Sequence, residues 1–287
     1  MDNEIEEPMR FSALCASLLT LSALWTPPVY AQSSQGSFCR PVAQFENGIL
    51  KASFNDDVVL AQSRQNVTIT YLAHSSFRIE TSEGLNIATD FTGFLGSKAL
   101  PDIATMNTVH TGHFTFDPDK NIKHVLQGWA KDGEPSRHYV RINDTIVRNI
   151  TTDFTSEATG FRPDENSIFV YEMDGLCIGH LGQLHNYPSE EQLAEIGRLD
   201  VMMMPISGIQ TLSHDDIDRL IERLGVRIIL PMHWHDKRTL LAYLEDVQGR
   251  RLIETRNDNA ITVSIDTLPN EPTMIFLTPE TSFKLFQ

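Results

Sequence analysis

The order of the apolar segments constrains this chain more than any other feature of its 287 residues. From Val67 onward apolar and polar residues alternate at the two-residue period of a half-buried strand. Val67, Ile69 and Tyr71 share one face, and Phe77 and Ile79 continue beyond His74-Ser75-Ser76. Ser82-Glu83-Gly84 turns the chain into a returning strand over residues 85–90, and further strands are expected over residues 103–109, 123–130 and 139–151, the last broken by a turn at Asn143-Asp144. Asp174-Gly175 joins residues 167–173 to 176–180 as a hairpin of two apolar strands. The period then changes. Ser189 precedes a helical pattern over residues 190–196, and residues 201–206 are a fully apolar strand. Ser213 opens an amphipathic helix with Ile217, Leu220, Ile221 and Leu224 on one face, and Gly225 ends it. Residues 226–232 form a buried strand, residues 237–247 a helix, and residues 260–265 and 273–277 two closing strands. Antiparallel strands followed by strand–helix–strand–helix predict an α/β (α+β) domain of two sheets packed face to face with helices outside.

Histidines sit at the ends of these strands. Of the ten in the chain, His74, His110, His113, His180, His185 and His233 lie in or just after segments that read as buried strands. Strand ends that deliver imidazoles to one place are a means of building a divalent-metal site, since neutral imidazole binds zinc readily. His110 and His113 are three apart on one loop, His185 lies five beyond His180, and His233 ends a buried strand. His110, His113, His185 and His233 are therefore the expected metal ligands, for one Zn2+ or, alternatively, two. Three neutral nitrogens with one open position make a catalytic zinc site. Asp90 and His74 are the expected catalytic partners, Asp90 for proton handling, as a further ligand or for orienting a histidine, and His74 for bracing the site.

The N-terminus reads as a processing signal. Arg10 precedes an apolar run over residues 11–25, which breaks at Thr26-Pro27-Pro28, and Val29-Tyr30-Ala31 supplies small residues before a cleavage point at Gln32. The apolar run is shorter than the roughly 20 residues a spanning helix needs. Met9, rather than the acidic residues 1–8, gives the signal its ordinary beginning. The expected organisation is a signal peptide over residues 1–31, a leader and first strand region over 32–66, and the main domain over 67–287, in a protein exported to the periplasm or secreted. The formal charge of −15 becomes −12 once Asp2, Glu4, Glu6, Glu7 and Arg10 are removed. Such acidity gives no electrostatic reason to bind nucleic acid or an anionic membrane. Cys39 and Cys177 remain after cleavage, and an exported protein can pair them, although Cys177 in its apolar run also suits a buried free thiol. The chain has no Gly-x-Ser-x-Gly elbow and no Gly-rich phosphate loop.

Four blocks in order carry a family resemblance. Val67-Thr-Ile-Thr-Tyr-Leu-Ala-His-Ser-Ser-Phe-Arg-Ile-Glu80, Ala88-Thr89-Asp90, Cys177-Ile-Gly-His-Leu-Gly-Gln-Leu-His185 and Ile228-Ile-Leu-Pro-Met-His233 resemble the metallo-β-lactamase superfamily, in its branch of metal-dependent hydrolases that includes ascorbate-phosphate lactonase-like proteins. The resemblance implies a four-layer αββα sandwich and hydrolysis of a small-molecule ester, lactone, amide or phosphodiester by metal-activated water. This sequence departs from the family pattern at two places. The hallmark His-x-His-x-Asp-His loop is here Thr108-Val-His-Thr-Gly-His-Phe-Thr115, with Thr115 and Phe116 near the places of the last aspartate and histidine. Where the family carries a metal-bridging aspartate after glycine, this chain has Gly182-Gln183. A neutral glutamine offsets the repulsion of two cations poorly, which favours one ion. The alternative reading is a catalytically weak or inactive periplasmic binding protein on the same scaffold.

Overall fold

The protein is described from a computed structural model covering residues 36–40, 42–46, 49–53, 65–96, 99–156, 160–207, 211–234 and 236–281. The expected signal segment and the first residues of the leader lie outside the described residues. Ser37–Gln287 form one compact unit. Its first elements are β1 (Val42–Glu46), β2 (Ile49–Ser53), β3 (Val67–Ala73), β4 (Ser76–Glu80), β5 (Asn86–Ala88), β6 (Ile103–Met106) and β7 (His124–Gln127). The middle of the chain gives β8 (Tyr139–Ile142), β9 (Thr145–Ser156), β10 (Gly160–Met173), β11 (Leu176–His180) and α1 (Glu190–Ile196). The last part adds β12 (Val201–Pro205), α2 (His214–Leu224), β13 (Ile228–Met232), α3 (Lys237–Val247), β14 (Leu252–Thr255), β15 (Ala260–Val263) and β16 (Thr273–Phe276).

Beside a β1-β2 hairpin stand two large sheets. One has six strands in the order β15-β3-β4-β5-β6-β7, the other eight in the order β14-β16-β13-β12-β11-β10-β9-β8. One apolar cluster takes side chains from both, including Ile69, Phe77 and Ile87 from the first and Phe169, Met203 and Leu230 from the second. This is the expected two-sheet sandwich. The three helices follow β11, β12 and β13 as crossovers between parallel strands, and α2 buries Ile217, Leu220, Ile221 and Leu224. Burial of each such side chain contributes roughly 1.5–3 kcal/mol. On the six-stranded sheet the alternation is visible residue by residue. Ile87 and Ile103 enter the main core, whereas Ala88 and Ala104 enter a second cluster with Phe91, Met106 and Ile122. Among the described residues no α-helix lies in the links between β5, β6 and β7, so loops carry that second cluster. No helix among the described residues is long and apolar enough to cross a membrane.

Two features tie the N-terminal segment to the eight-stranded sheet. Cys39 and Cys177 form a disulfide, which resolves the two readings of the cysteines. Phe38 N donates to Glu172, whose other carboxylate oxygen takes Arg148 Nε at 2.7 Å in a buried ion pair. The same guanidinium donates to the Glu195 and Ile196 carbonyls at the end of α1, whose backbone acceptors are otherwise open.

The parallel ladder sets the position of the site. His180 pairs with Met203 and Pro205 with Met232, so the carboxyl ends of β11, β12 and β13 lie side by side. Across the sandwich, His233 N donates to His74 O at 2.8 Å, joining the end of β13 to the β3–β4 turn.

Candidate metal centre

Three histidines converge where the two sheets meet. One nitrogen each of His74, His113 and His233 lies within 4.8 Å of the others, and all three residues are buried. His74 occupies the β3–β4 turn in the left-handed region, φ 43°. Its carbonyl accepts from the Tyr71 hydroxyl at 2.7 Å as well as from His233 N, which fixes the turn. His233 is also left-handed, φ 62°, and its Nδ1 lies 3.2 Å from Ser207 Oγ just beyond β12. Seven non-glycine residues among those described have positive φ. Five are Asp or Asn, and the other two are His74 and His233, both in the triad. Such a conformation costs on the order of 1–3 kcal/mol, and the surroundings must hold it.

His113 is placed by the loop after β6. His113 N donates to His110 O at 3.0 Å, closing a turn through Gly112. Gly112 is required there. Its φ is 94°, and a Cβ on it would stand 2.6 Å from His74 Cδ2. Ser75 Oγ donates to Gly112 O at 2.8 Å, so the His74 turn and the His113 loop are bonded to one another.

Asp90 gives His113 its tautomer. The buried carboxylate accepts from Asn107 N at Oδ1 (3.0 Å) and from His113 Nδ1 at Oδ2 (2.5 Å). Burial alone would raise the Asp90 carboxyl. Nearby His113 and His180, with the hydrogen bonds from His113 and Asn107, outweigh burial and hold it below the ordinary value. With the proton on Nδ1, the Nε2 lone pair of His113 points away from Asp90, and that atom is buried without a hydrogen-bond partner among the described residues. A carboxylate–imidazole pair with the second nitrogen left open is the usual support of a metal-ligating histidine. Three imidazoles in this setting fit a divalent ion such as zinc.

His180 cross-links the site without joining the triad. Its Nε2 donates to Ser75 O at 2.8 Å and its Nδ1 accepts from Gly182 N at 3.1 Å, so both nitrogens are engaged with backbone. Burial lowers its pKa and keeps it neutral, with Asp90 Oδ2 at 3.8 Å opposing that shift.

Of the histidines expected as ligands, His113 and His233 come together, and His74, expected as a brace, stands in the triad with them. His110 and His185 fall outside it. The His110–His113 turn carries the two rings to centroids 5.9 Å apart, and the His110 ring is not among the converging nitrogens. His185 packs on Phe154 at 4.0 Å, and burial lowers its pKa. Of the roles expected for Asp90, the geometry matches the orienting one, since both oxygens are committed to His113 and Asn107. Ser75, Gly112, Asn107 and Ser207 were not singled out from the sequence. The glycine between two loop histidines was the one available signal.

This sandwich with its histidine centre defines a metal-dependent hydrolase of the metallo-β-lactamase fold. The chain belongs to the Beta-lactamase superfamily domain family, which it matches over residues 68–233, more than half its length. It is 31% identical over 194 residues to a UPF0173 metal-dependent hydrolase of Pyrococcus furiosus, covering 59% of this chain and 85% of that one. To a UPF0173 metal-dependent hydrolase of Methanoculleus marisnigri it is 23% identical over 200 residues, covering 65% and 88%. A solved metallo-beta-lactamase superfamily structure from Thermotoga maritima shares the fold with a TM-score of 0.54 at 22% identity, covering 74% of this chain and 98% of that one.

Proposed function

We propose that the chain is an exported hydrolase of small-molecule esters, lactones, amides or phosphodiesters that holds one zinc ion at His74, His113 and His233. The observation that carries the reading is the convergence of these three buried imidazoles on one point, with Asp90 fixing the tautomer of His113. A zinc ion bound there supplies a Lewis acid and lowers the pKa of water toward about 7. The chain's own residues hold the reacting geometry. Asp90 keeps the proton of His113 on Nδ1 and leaves Nε2 as the donor atom. The His74 carbonyl, taken by Tyr71 and His233, locks the two ligand-bearing turns in one register. His180 stays neutral and ties the β11 end to Ser75. One ion is favoured because the converging group is three histidines and includes no carboxylate to offset the repulsion of a second cation. Export to the periplasm or beyond is supported by the apolar run before Gln32 and by a disulfide, a bond that persists in oxidising compartments.

The test is elemental analysis of the mature protein, with hydrolysis of generic ester, lactone and phosphodiester substrates by the wild type and by His233→Ala. The expected result is one zinc per chain and hydrolysis that the substitution removes. Substoichiometric metal that added zinc does not restore, or equal rates in the two proteins, overturns the reading.

A further inference from the structure

Gln183 is a buried residue on the loop that follows β11. It is fully buried, and neither its Oε1 nor its Nε2 has a hydrogen-bond partner among the described residues. A primary amide withdrawn from water without partners is unfavourable, so its burial needs a reason. The nitrogens of the two neighbouring amides are bonded, and Asn107 Oδ1 shares the lack of a partner among the described residues. Asn166 donates to Thr152 Oγ1 and Leu181 O, and Asn107 donates to Ser167 O and His180 O.

The backbone of Gln183 is fixed between the two histidine-bearing turns. Its N–H donates to Asn166 Oδ1 at 3.0 Å, and Asn166 pairs as an isolated bridge with Thr108, just before the His110–His113 loop. On the other side, Gly182 N donates to His180, which bonds Ser75 O beside His74. The approach is tight, since a Cβ on Gly182 would meet Asn166 Oδ1 at 2.5 Å and Asn107 Cβ at 2.6 Å. Gln183 thus stands on the first loop beyond β11, at the same sheet edge that His233 leaves from β13.

We propose that the Gln183 amide faces the histidine triad and donates through Nε2 to the carbonyl or phosphoryl oxygen of the substrate. The proposal rests on the single-ion hydrolase reading above. A neutral donor suits this place. It stabilises charge developing on the substrate oxygen, where a carboxylate would repel it.

The test uses the mature protein loaded with Co2+, whose visible absorption reports the centre without turnover. Inorganic phosphate and acetate are titrated into wild type, Gln183→Leu and Gln183→Glu. The expected result is equal cobalt uptake by wild type and Gln183→Leu, with phosphate binding weakened roughly 10-fold or more in Gln183→Leu and further in Gln183→Glu. In turnover, kcat falls about 100-fold in Gln183→Leu. Gln183→Glu, close to isosteric and compared at one bound cobalt per chain by elemental analysis, keeps the experiment decisive if the leucine variant fails to fold. Equal phosphate affinity in every folded variant overturns the proposal, as does a wild-type cobalt spectrum that neither anion moves. Failure of wild type to take up cobalt instead sinks the hydrolase reading itself, which separates the two.

Discussion

The two sheets deliver their histidines by different means. In the eight-stranded sheet His233 comes directly after β13, a buried parallel strand whose register with β12 fixes where it ends. In the six-stranded sheet His74 and His113 come from turns, held by Tyr71, Ser75, Gly112 and Asp90 rather than by a ladder. A ladder position tolerates change around it because many backbone bonds share the load. A turn position depends on a few single groups. Metal affinity should therefore be more sensitive on the turn side.

The largest contrast is between His74 and His185. His74→Ala should lose metal through dialysis, while His185→Ala keeps one equivalent by elemental analysis; the reverse pattern would break the triad assignment. Next comes a pair of glycines. Gly112→Ala places a methyl against the His74 ring at positive φ, and should lower stability by roughly 1–3 kcal/mol and weaken metal binding. Gly225→Ala, at the left-handed end of α2 with open space around it, should cost about 1 kcal/mol in denaturant unfolding and leave metal affinity unchanged. Asp90→Asn removes the negative charge and leaves one acceptor oxygen for the two donors His113 Nδ1 and Asn107 N, and should weaken metal binding by about 10- to 100-fold in competition with a chelator. An effect confined to acidic pH concerns His180, which joins the two sides. Its folded pKa is lowered by burial, so the unfolded chain takes up a proton first as pH falls. Metal-free protein should then be most stable above about pH 6.5 and lose up to about 1.4 kcal/mol per pH unit below it, until the folded pKa is reached. His180→Asn should flatten that slope in denaturant melts at pH 7.5 and 5.5.

The same division governs what could be read in the sequence. Asn143-Asp144 and Asp174-Gly175 marked the β8–β9 and β10–β11 turns, and Ser213 and Gly225 bracketed α2, because each of these signals is local chemistry. β14 is not marked in the sequence, since all four of its residues are exposed and no alternation shows it. β10 begins at Gly160, ahead of the expected start at Ser167, because its first residues are polar and its pairing with β9, not its composition, makes it a strand. In the site, His233 was legible as the end of an apolar strand. His110 and His113 could not be told apart by spacing, since the direction of a three-residue turn depends on the φ of Gly112 and on its bond to Ser75. His74 looked like a brace because nothing in Ala73-His74-Ser75 announces a left-handed residue.

The Cys39–Cys177 crosslink closes a ring across 138 positions, and that ring contains every strand from β1 to β10. Cys177 is made only after all of those strands, so the bond can close only once that half of the chain has been delivered. In the chain-entropy view, a ring of this size penalises the unfolded ensemble by about 5 kcal/mol. Material produced in a reducing cytosol would lack that contribution and should melt well below the oxidised protein, even with its histidine centre intact.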